Sequence, residues 1–238
     1  MTWGRFYGVG VGPGDPQLLT LKAVAVLRKT DVIAIPKSKL ERESVAWEIA
    51  KGHCRPDVGQ IEIELPMTAE REVLEQAWES GAERIRRLLA DGQTVAFITL
   101  GDPSLYSTYT YLLDKLKGKI PEERIETVPG IMALAAAAAR VNLPLAEGDE
   151  PLLILPSGDG LEDYLGFPNL VLMKVSRRLP EILARLKDKE RAAVLLSRVG
   201  HDNERIEWNP EAQRPDGKID YLSLLIVKGA VGRAEEEN

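Results

Sequence analysis

Thr94 to Ser107 reads TVAFITLGDPSLYS, and the fold follows from how this stretch runs and how it stops. Thr94 to Leu100 is mostly apolar and of strand length, the texture of a strand buried on both faces. It ends at Gly101-Asp102-Pro103. Glycine permits torsions closed to other residues, aspartate offers an acceptor at the turn, and proline can neither continue a strand nor donate to its ladder. Ser104 stands where it can cap an amphipathic segment, Leu105 to Leu116. In an open α/β sheet, a strand that ends this way and feeds a helix puts its last residues at the carboxyl edge, where ligands bind. Taken alone, the tripeptide reads more readily as a tight turn without a ligand.

A second glycine-rich strand end shifts that balance. Arg5 to Val11 reads as a first strand, followed by Gly12, Pro13, Gly14 and Asp15, with Gly8 and Gly10 inside it. A phosphate-binding P-loop would need Gly-Lys-Ser/Thr at its end, and here Pro16 and Gln17 follow Asp15. A dinucleotide fingerprint would need glycine three residues after Gly10 or Gly12, where Pro13 and Asp15 stand. Asp15 would also repel a phosphate. The ligand of this loop is therefore expected to be neutral or cationic.

Leu18 to Lys29 is helical in pattern, with Thr20 a cap, and Asp31 to Ile35 is a second strand that stops at Pro36. Lys37, Lys39 and Arg42 follow; a basic cluster there is either a solvated loop or a seat for substrate carboxylates. Ser44 to Lys51 is a short helix. His53 and Cys54 have no partner pair at metal-ligand spacing and read as structural, so no protein-bound metal is expected. Gln60 to Leu65 alternates as a third strand, and Ala69 to Ala90 is the longest helix, with Val73, Leu74, Ala77, Trp78, Ile85, Leu88 and Leu89 on its inner face and Trp78 in the core. Arg124 to Val128 is a fifth strand, ending at Pro129 and Gly130 before Ile131, Met132 and the small-residue run Ala133 to Ala139. Such a helix allows close approach of another backbone or of a flat ligand. Three glycine-bearing ends, at Gly10 to Gly14, Gly101 and Gly130, would face one edge of a parallel sheet and line a cleft.

The texture changes after Asn142 to Glu150, which lacks periodicity and reads as a linker. Strands are expected at Leu152 to Leu155, Leu170 to Val175, Ala192 to Ser197, Glu204 to Trp208 and Tyr221 to Val227, with a helix over Arg177 to Lys187. The expected fold class is α/β in two domains: residues 1–142 with a mostly parallel sheet and helices on both faces, residues 147–230 mixed and more antiparallel, and an acidic tail at 231–238. A net charge of -6 gives no support to nucleic acid as a partner, and no apolar run approaches membrane-spanning length. One cysteine and no signal-like apolar segment after Met1 point to the reducing cytoplasm.

The start Gly10-Val-Gly-Pro-Gly-Asp15 followed by LLTLKA, the strand ending in Gly101-Asp102-Pro103, and Pro129-Gly130-Ile131 resemble the tetrapyrrole methylases in order and spacing, over most of the chain. GDPSLYSTY at Gly101 to Tyr109, Lys174 in VLMKVSRR, and SRVGHDNERI at Ser197 to Ile206 are similar to the branch that methylates position 20 of precorrin-2 or cobalt-factor II. The resemblance implies a homodimer that holds S-adenosylmethionine between two α/β domains. Carried across residue by residue, it implies donor contacts from Pro13, Gly101, Asp102, Leu105, Met132, Ala133, Lys174 and Gly200. Where Lys174 stands, similar proteins often have an apolar residue such as Met, so a backbone contact is what carries over.

A sulfonium donor without phosphate agrees with glycine loops that lack lysine and contain acids. The acceptor implied is a macrocycle bearing many carboxylates. Its expected contacts are Gly10, Gly12 and Asp15, with Lys37, Lys39, Arg42, Arg177, Arg178 and Arg198 as cationic partners. Displacement at the methyl needs alignment above all, and the proton then lost from carbon could go to Asp102, Tyr106, His201 or water. Another methylase of the same fold, or a binding protein that has lost turnover, are the other readings.

Overall fold

The computed structural model describes residues 2–37, 44–66, 68–210 and 219–229. The chain folds as two compact units, Met1–Met132 and Ala133–Asn238. The division lies one helix ahead of the linker-like stretch at 142–150.

In the first unit the strands are β1 (Phe6–Gly10), β2 (Val32–Lys37), β3 (Gly59–Glu64), β4 (Val95–Thr99) and β5 (Ile125–Val128), and the helices are α1 (Leu21–Leu27), α2 (Val45–Ala50), α3 (Arg71–Ala90) and α4 (Tyr109–Leu116). The sheet runs in the order β3-β2-β4-β1-β5, and every pairing is parallel. Strand side chains alternate between faces, and both faces are covered. Tyr7, Val9, Val11, Ala96 and Ile98 pack with α1 and α2, while Phe6, Val95 and Phe97 pack with α3 and α4. That double burial is why the Thr94 stretch is continuously apolar instead of alternating.

Consecutive connections leave the centre of this sheet in opposite directions. β1 leads by way of α1 to β2 on one side of β4, and β4 leads by way of α4 to β5 on the far side of β1. The carboxyl ends of β1 and β4 therefore flank a topological switch point, the place where an open parallel sheet leaves a crevice.

The structure departs from the sequence reading at four points, the first being β2, which continues through Pro36 to Lys37 instead of stopping at the proline. The segment after Gly101 is not helical from Leu105: α4 starts at Tyr109, and Ser104 caps nothing but turns back onto Asp102. The expected helix from Leu18 is preceded by a 3-10 turn, Pro16–Leu18, capped by Asp15, and α1 starts only after Thr20, whose side chain accepts from the Ala23 N–H. Trp78 lies outside the core. The buried residues of α3 are Gly81, Ala82, Ile85 and Leu89, and Trp78 instead stacks on half-exposed Tyr111 of α4 at 4.1 Å between ring centroids.

The second unit contains α5 (Ala133–Arg140), β6 (Leu152–Leu155), β7 (Asn169–Met173), α6 (Leu179–Asp188), β8 (Ala192–Ser197), β9 (Arg205–Trp208) and β10 (Ser223–Lys228). Its sheet order is β6-β7-β10-β8-β9, with β6 and β7 parallel and the other pairs antiparallel. Leu179, Ile182, Leu183 and Leu186 of α6 bury against Leu170, Leu172, Leu195 and Leu225. The Arg191 guanidinium donates to the carbonyls of Leu165, Pro168 and Lys228, which satisfies it without a carboxylate. Burial pushes its pKa down.

Candidate functional site at the carboxyl ends of the strands

At the switch point three loops approach backbone to backbone. The Gly12 and Gly101 backbones exchange hydrogen bonds, Gly101 N to Gly12 O at 2.7 Å and Gly12 N to Gly101 O at 3.3 Å. A Cβ on Gly10 would lie 2.6 Å from the Gly101 oxygen, and one on Gly130 would lie 2.2 Å from that same oxygen. No side chain fits at either position. Gly101 differs from both. Its φ is +70°, and a Cβ built there meets nothing within 4 Å, so space is open on the side where a side chain would stand, although the residue is buried and its N–H and carbonyl are bonded to Gly12.

Asp102 locks this junction. The residue is 7% exposed. Its Oδ1 accepts from the Ser104 N–H at 2.8 Å and from the Ser104 hydroxyl, and its Oδ2 accepts from the Gly130 N–H at 2.9 Å. Burial by itself would raise the carboxyl pKa, but the Ser104 hydroxyl, Gly130 N–H and Ser104 N–H together outweigh it and hold the group below its ordinary value. An ionised carboxylate with both oxygens engaged is a fastener between the ends of β4 and β5.

The rest of GDPSLYSTY supports that junction from below. The Thr99 and Ser107 hydroxyls share a hydrogen bond of 2.8 Å, Ser107 Oγ also accepts from the Tyr109 N–H, and the buried Tyr109 hydroxyl meets Thr127 Oγ1 on β5 at 2.7 Å. The Tyr109 ring occupies the space that a side chain at position 8 would need: a Cβ on Gly8 would lie 2.1 Å from it. Above them Tyr106 sits at φ +52° and is 46% exposed, a backbone conformation that a bulky residue adopts only when its surroundings impose it. Leu105 beside it is half-buried.

Among the other expected residues of this unit, Pro13 is buried in the β1 loop. The Asp15 carboxylate is used locally, accepting from the Gln17 N–H at 2.8 Å. Thr20, which the sequence shows only as a cap, also donates to the Pro129 carbonyl at 3.5 Å and so ties α1 to the β5 loop. Lys37 ends β2 on the same carboxyl edge and pairs with Glu62 at 2.6 Å. Lys39 and Arg42 lie outside the described residues. Met132 closes the unit, half-buried.

The second unit gathers its own set. β7 and β8 both run antiparallel to β10, so their carboxyl ends share one edge of the sheet. Lys174 follows β7 at φ +50°, exposed, with exposed Arg177 three residues on. Arg178 is committed to Asp159 and Glu181. Arg198 follows β8 at φ +52° and binds Asn203 Oδ1 at 2.7 Å and Asp220 at 3.1 Å. Gly200 is at φ +80°, and the next residue, His201, donates its backbone N–H to the Arg198 carbonyl at 3.0 Å. Ala133 opens α5 and is half-buried. Arg177 makes no ion pair among the described residues.

His53 and Cys54 take no part in either edge. Burial pushes the Cys54 thiol up to about 11, and its Sγ lies 3.5 Å from the Ala50 carbonyl. Among the described residues no helix is long and apolar enough to cross a membrane.

Residues 5–213 match the Tetrapyrrole (Corrin/Porphyrin) Methylases. The chain is 42% identical over 228 residues to a Methanocaldococcus jannaschii protein named "Probable cobalt-precorrin-2 C(20)-methyltransferase", covering 94% of this chain and 96% of that one. It is 34% identical to a Sinorhizobium precorrin-2 C(20)-methyltransferase, covering 95% and 96%. Among solved structures, a cobalt precorrin-4 methyltransferase superposes with a TM-score of 0.75 at 20% identity, covering 94% of each chain. The uroporphyrin-III C-methyl transferase of Thermus thermophilus, complexed with S-adenosyl homocysteine, superposes at 0.68 and 23%, covering 94% of this chain and 97% of that one. An all-parallel sheet with three glycine-bearing strand ends, followed by a mixed second sheet, is thus the frame of a known group, and the chain belongs to the tetrapyrrole methylase family.

Proposed function

We propose that the chain is an S-adenosylmethionine-dependent methyltransferase acting on carbon 20 of precorrin-2 or cobalt-factor II in cobalamin biosynthesis. The observation that carries this reading is the 42% identity, over nearly the full length of both chains, to a protein named for that reaction. The local chemistry supports a sulfonium donor. Gly101 leaves the space of a side chain open beside its Cα, and the Gly10 to Asp15 loop carries no lysine or arginine that would call for a phosphate. Bound there, S-adenosylmethionine supplies an electrophilic methyl group.

In this reading the donor contacts are those the family resemblance implies: Pro13, Gly101, Asp102, Leu105, Met132, Ala133, Lys174 and Gly200. Asp102 contributes by fixing the loops, since its oxygens are already occupied. Alignment supplies most of the acceleration, on the order of 7–11 kcal/mol for well-placed reactants. The proton released from carbon goes to Tyr106, His201 or water. Gly10, Gly12 and Asp15 face the acceptor, and Lys37, Lys39, Arg42, Arg177 and Arg198 meet its carboxylates. Arg177 is the readiest of these, because Lys37 and Arg198 must first give up Glu62 and Asp220. The family resemblance further supports a homodimer, and the single cysteine fits the reducing cytoplasm.

The test is an anaerobic assay with methyl-labelled donor, offering precorrin-2 and cobalt-factor II separately and weighing the products. A mass gain of one labelled methyl on either acceptor is expected, and the preferred acceptor identifies the substrate. A bound donor with neither acceptor methylated would transfer the reading to another reaction of the family.

A further inference from the structure

Two of the three segments of the second unit that carry proposed donor contacts, α5 and the turn after β8, meet at one carboxylate. After β8 the chain turns through Arg198 at φ +52° and Gly200 at φ +80°, with His201 N–H donating to the Arg198 carbonyl and Glu204 N–H donating to the His201 carbonyl, each at 3.0 Å. Glu204 then reaches back. Its Oε2 accepts the Gly200 N–H at 2.8 Å, and its Oε1 accepts Arg140 Nε at 2.5 Å. The Glu204 side chain is 10% exposed, whereas that of Arg140 is 64% exposed. Arg140 is the last residue of α5, the helix that Ala133 opens.

We propose that Glu204, charge-paired with Arg140, is a positioning residue that sets the Gly200 turn against α5 and thereby shapes the donor site, an inference that rests on the function proposed above. Its chemistry is specific. The Gly200 N–H is spent on Glu204, so the backbone group that Gly200 presents to the donor is its carbonyl, which suits a ligand hydroxyl, amino or ammonium group and not an anion. A carboxylate this sheltered needs its partner: without Arg140 it is left as an uncompensated charge, and without Glu204 the Gly200 N–H, in a residue at φ +80°, loses its acceptor. The loop belongs to the motif SRVGHDNERI, but no spacing in the sequence ties it to Arg140, 64 residues earlier.

The test uses the full-length protein and S-adenosylhomocysteine as probe, measured by calorimetric titration beside the thermal midpoint, with amide exchange of Gly200 followed in the free protein. Glu204→Ala is expected to weaken binding about tenfold, to raise the donor KM more than it lowers kcat, and to speed Gly200 exchange. Glu204→Gln, whose amide oxygen still accepts the Gly200 N–H, should recover most of the affinity. Arg140→Ala should weaken binding severalfold, and the double variant should be no worse than Glu204→Ala alone, because the two act as one unit. Unchanged affinity in both single variants overturns the inference. If Glu204→Ala does not fold, Arg140→Ala with Arg140→Gln decides, and wild-type affinity in both overturns it. A wild-type protein that binds no S-adenosylhomocysteine, or methylates no tetrapyrrole, would instead count against the proposed function.

Discussion

A methyl group added at Gly130 would lie 2.2 Å from the Gly101 carbonyl oxygen, and 2.8 Å from the backbone of Gly10. Backbone cannot yield as a flexible side chain does, so Gly130→Ala should cost about 1–3 kcal/mol and abolish donor binding, as denaturant unfolding and S-adenosylhomocysteine titration would show. Gly101→Ala meets no neighbour, and its cost comes from φ +70° alone, about 1–2 kcal/mol. Asp102 makes a pH prediction with a definite sign. Its folded pKa is lowered from the ordinary 3.8, so its stabilisation is fully present above that value and is lost as pH falls through the lower, folded one. Asp102→Asn should therefore flatten the dependence of stability on pH on the acid side. A slope equal to that of the wild type would remove the carboxylate from its place as fastener. The importance of position 102 was legible in the sequence from its place after a buried strand. That both oxygens are taken by Ser104 and Gly130 was not, because Gly130 lies 28 residues away and only the strand order brings it near.

At the scale of elements, what hid the true start of α4 was a pattern that is helical in periodicity but not in hydrogen bonding. Leu105 to Leu116 has amphipathic spacing, yet Asp102 captures Ser104 and Ser107 Oγ takes the Tyr109 N–H, so the turn persists for four more residues. Local side-chain bonds of this kind compete directly with helix. Trp78 was hidden differently. Periodicity places it on the inner stripe of α3, but the sheet lies under only the second half of that helix, and Tyr111 covers the indole instead. Tyr109→Phe should cost about 0.5–1.5 kcal/mol by leaving Thr127 without its hydroxyl partner, read from the denaturation midpoint. Cys54, with its thiol pushed up to about 11, should resist alkylation at neutral pH and become reactive only as pH approaches that value. Rapid labelling at neutral pH would contradict its partly buried place after the 3-10 turn that follows α2.

For the molecule as a whole, the α/β class and the crowding of three glycine-bearing strand ends at one edge follow from residues 8–15, 94–107 and 125–130. Each marks a strand end on its own. The strand order that makes β1 and β4 the switch point is a long-range property, and short-range patterning does not encode it. The tetrapyrrole acceptor was legible only through resemblance, since its expected cationic partners are scattered and several are spent on local acids. Charge nevertheless makes a prediction. The KM for a polycarboxylate acceptor should rise with salt as the screening length falls from about 10 Å at 0.1 M to about 3 Å at 1 M, while affinity for S-adenosylhomocysteine changes little. The position of the transferred methyl decides which reaction this protein performs. Incubation with ¹³C-methyl S-adenosylmethionine and the preferred acceptor, followed by carbon NMR of the product, should place a single label on carbon 20; a label at any other ring position, or none with the donor bound, would contradict the account.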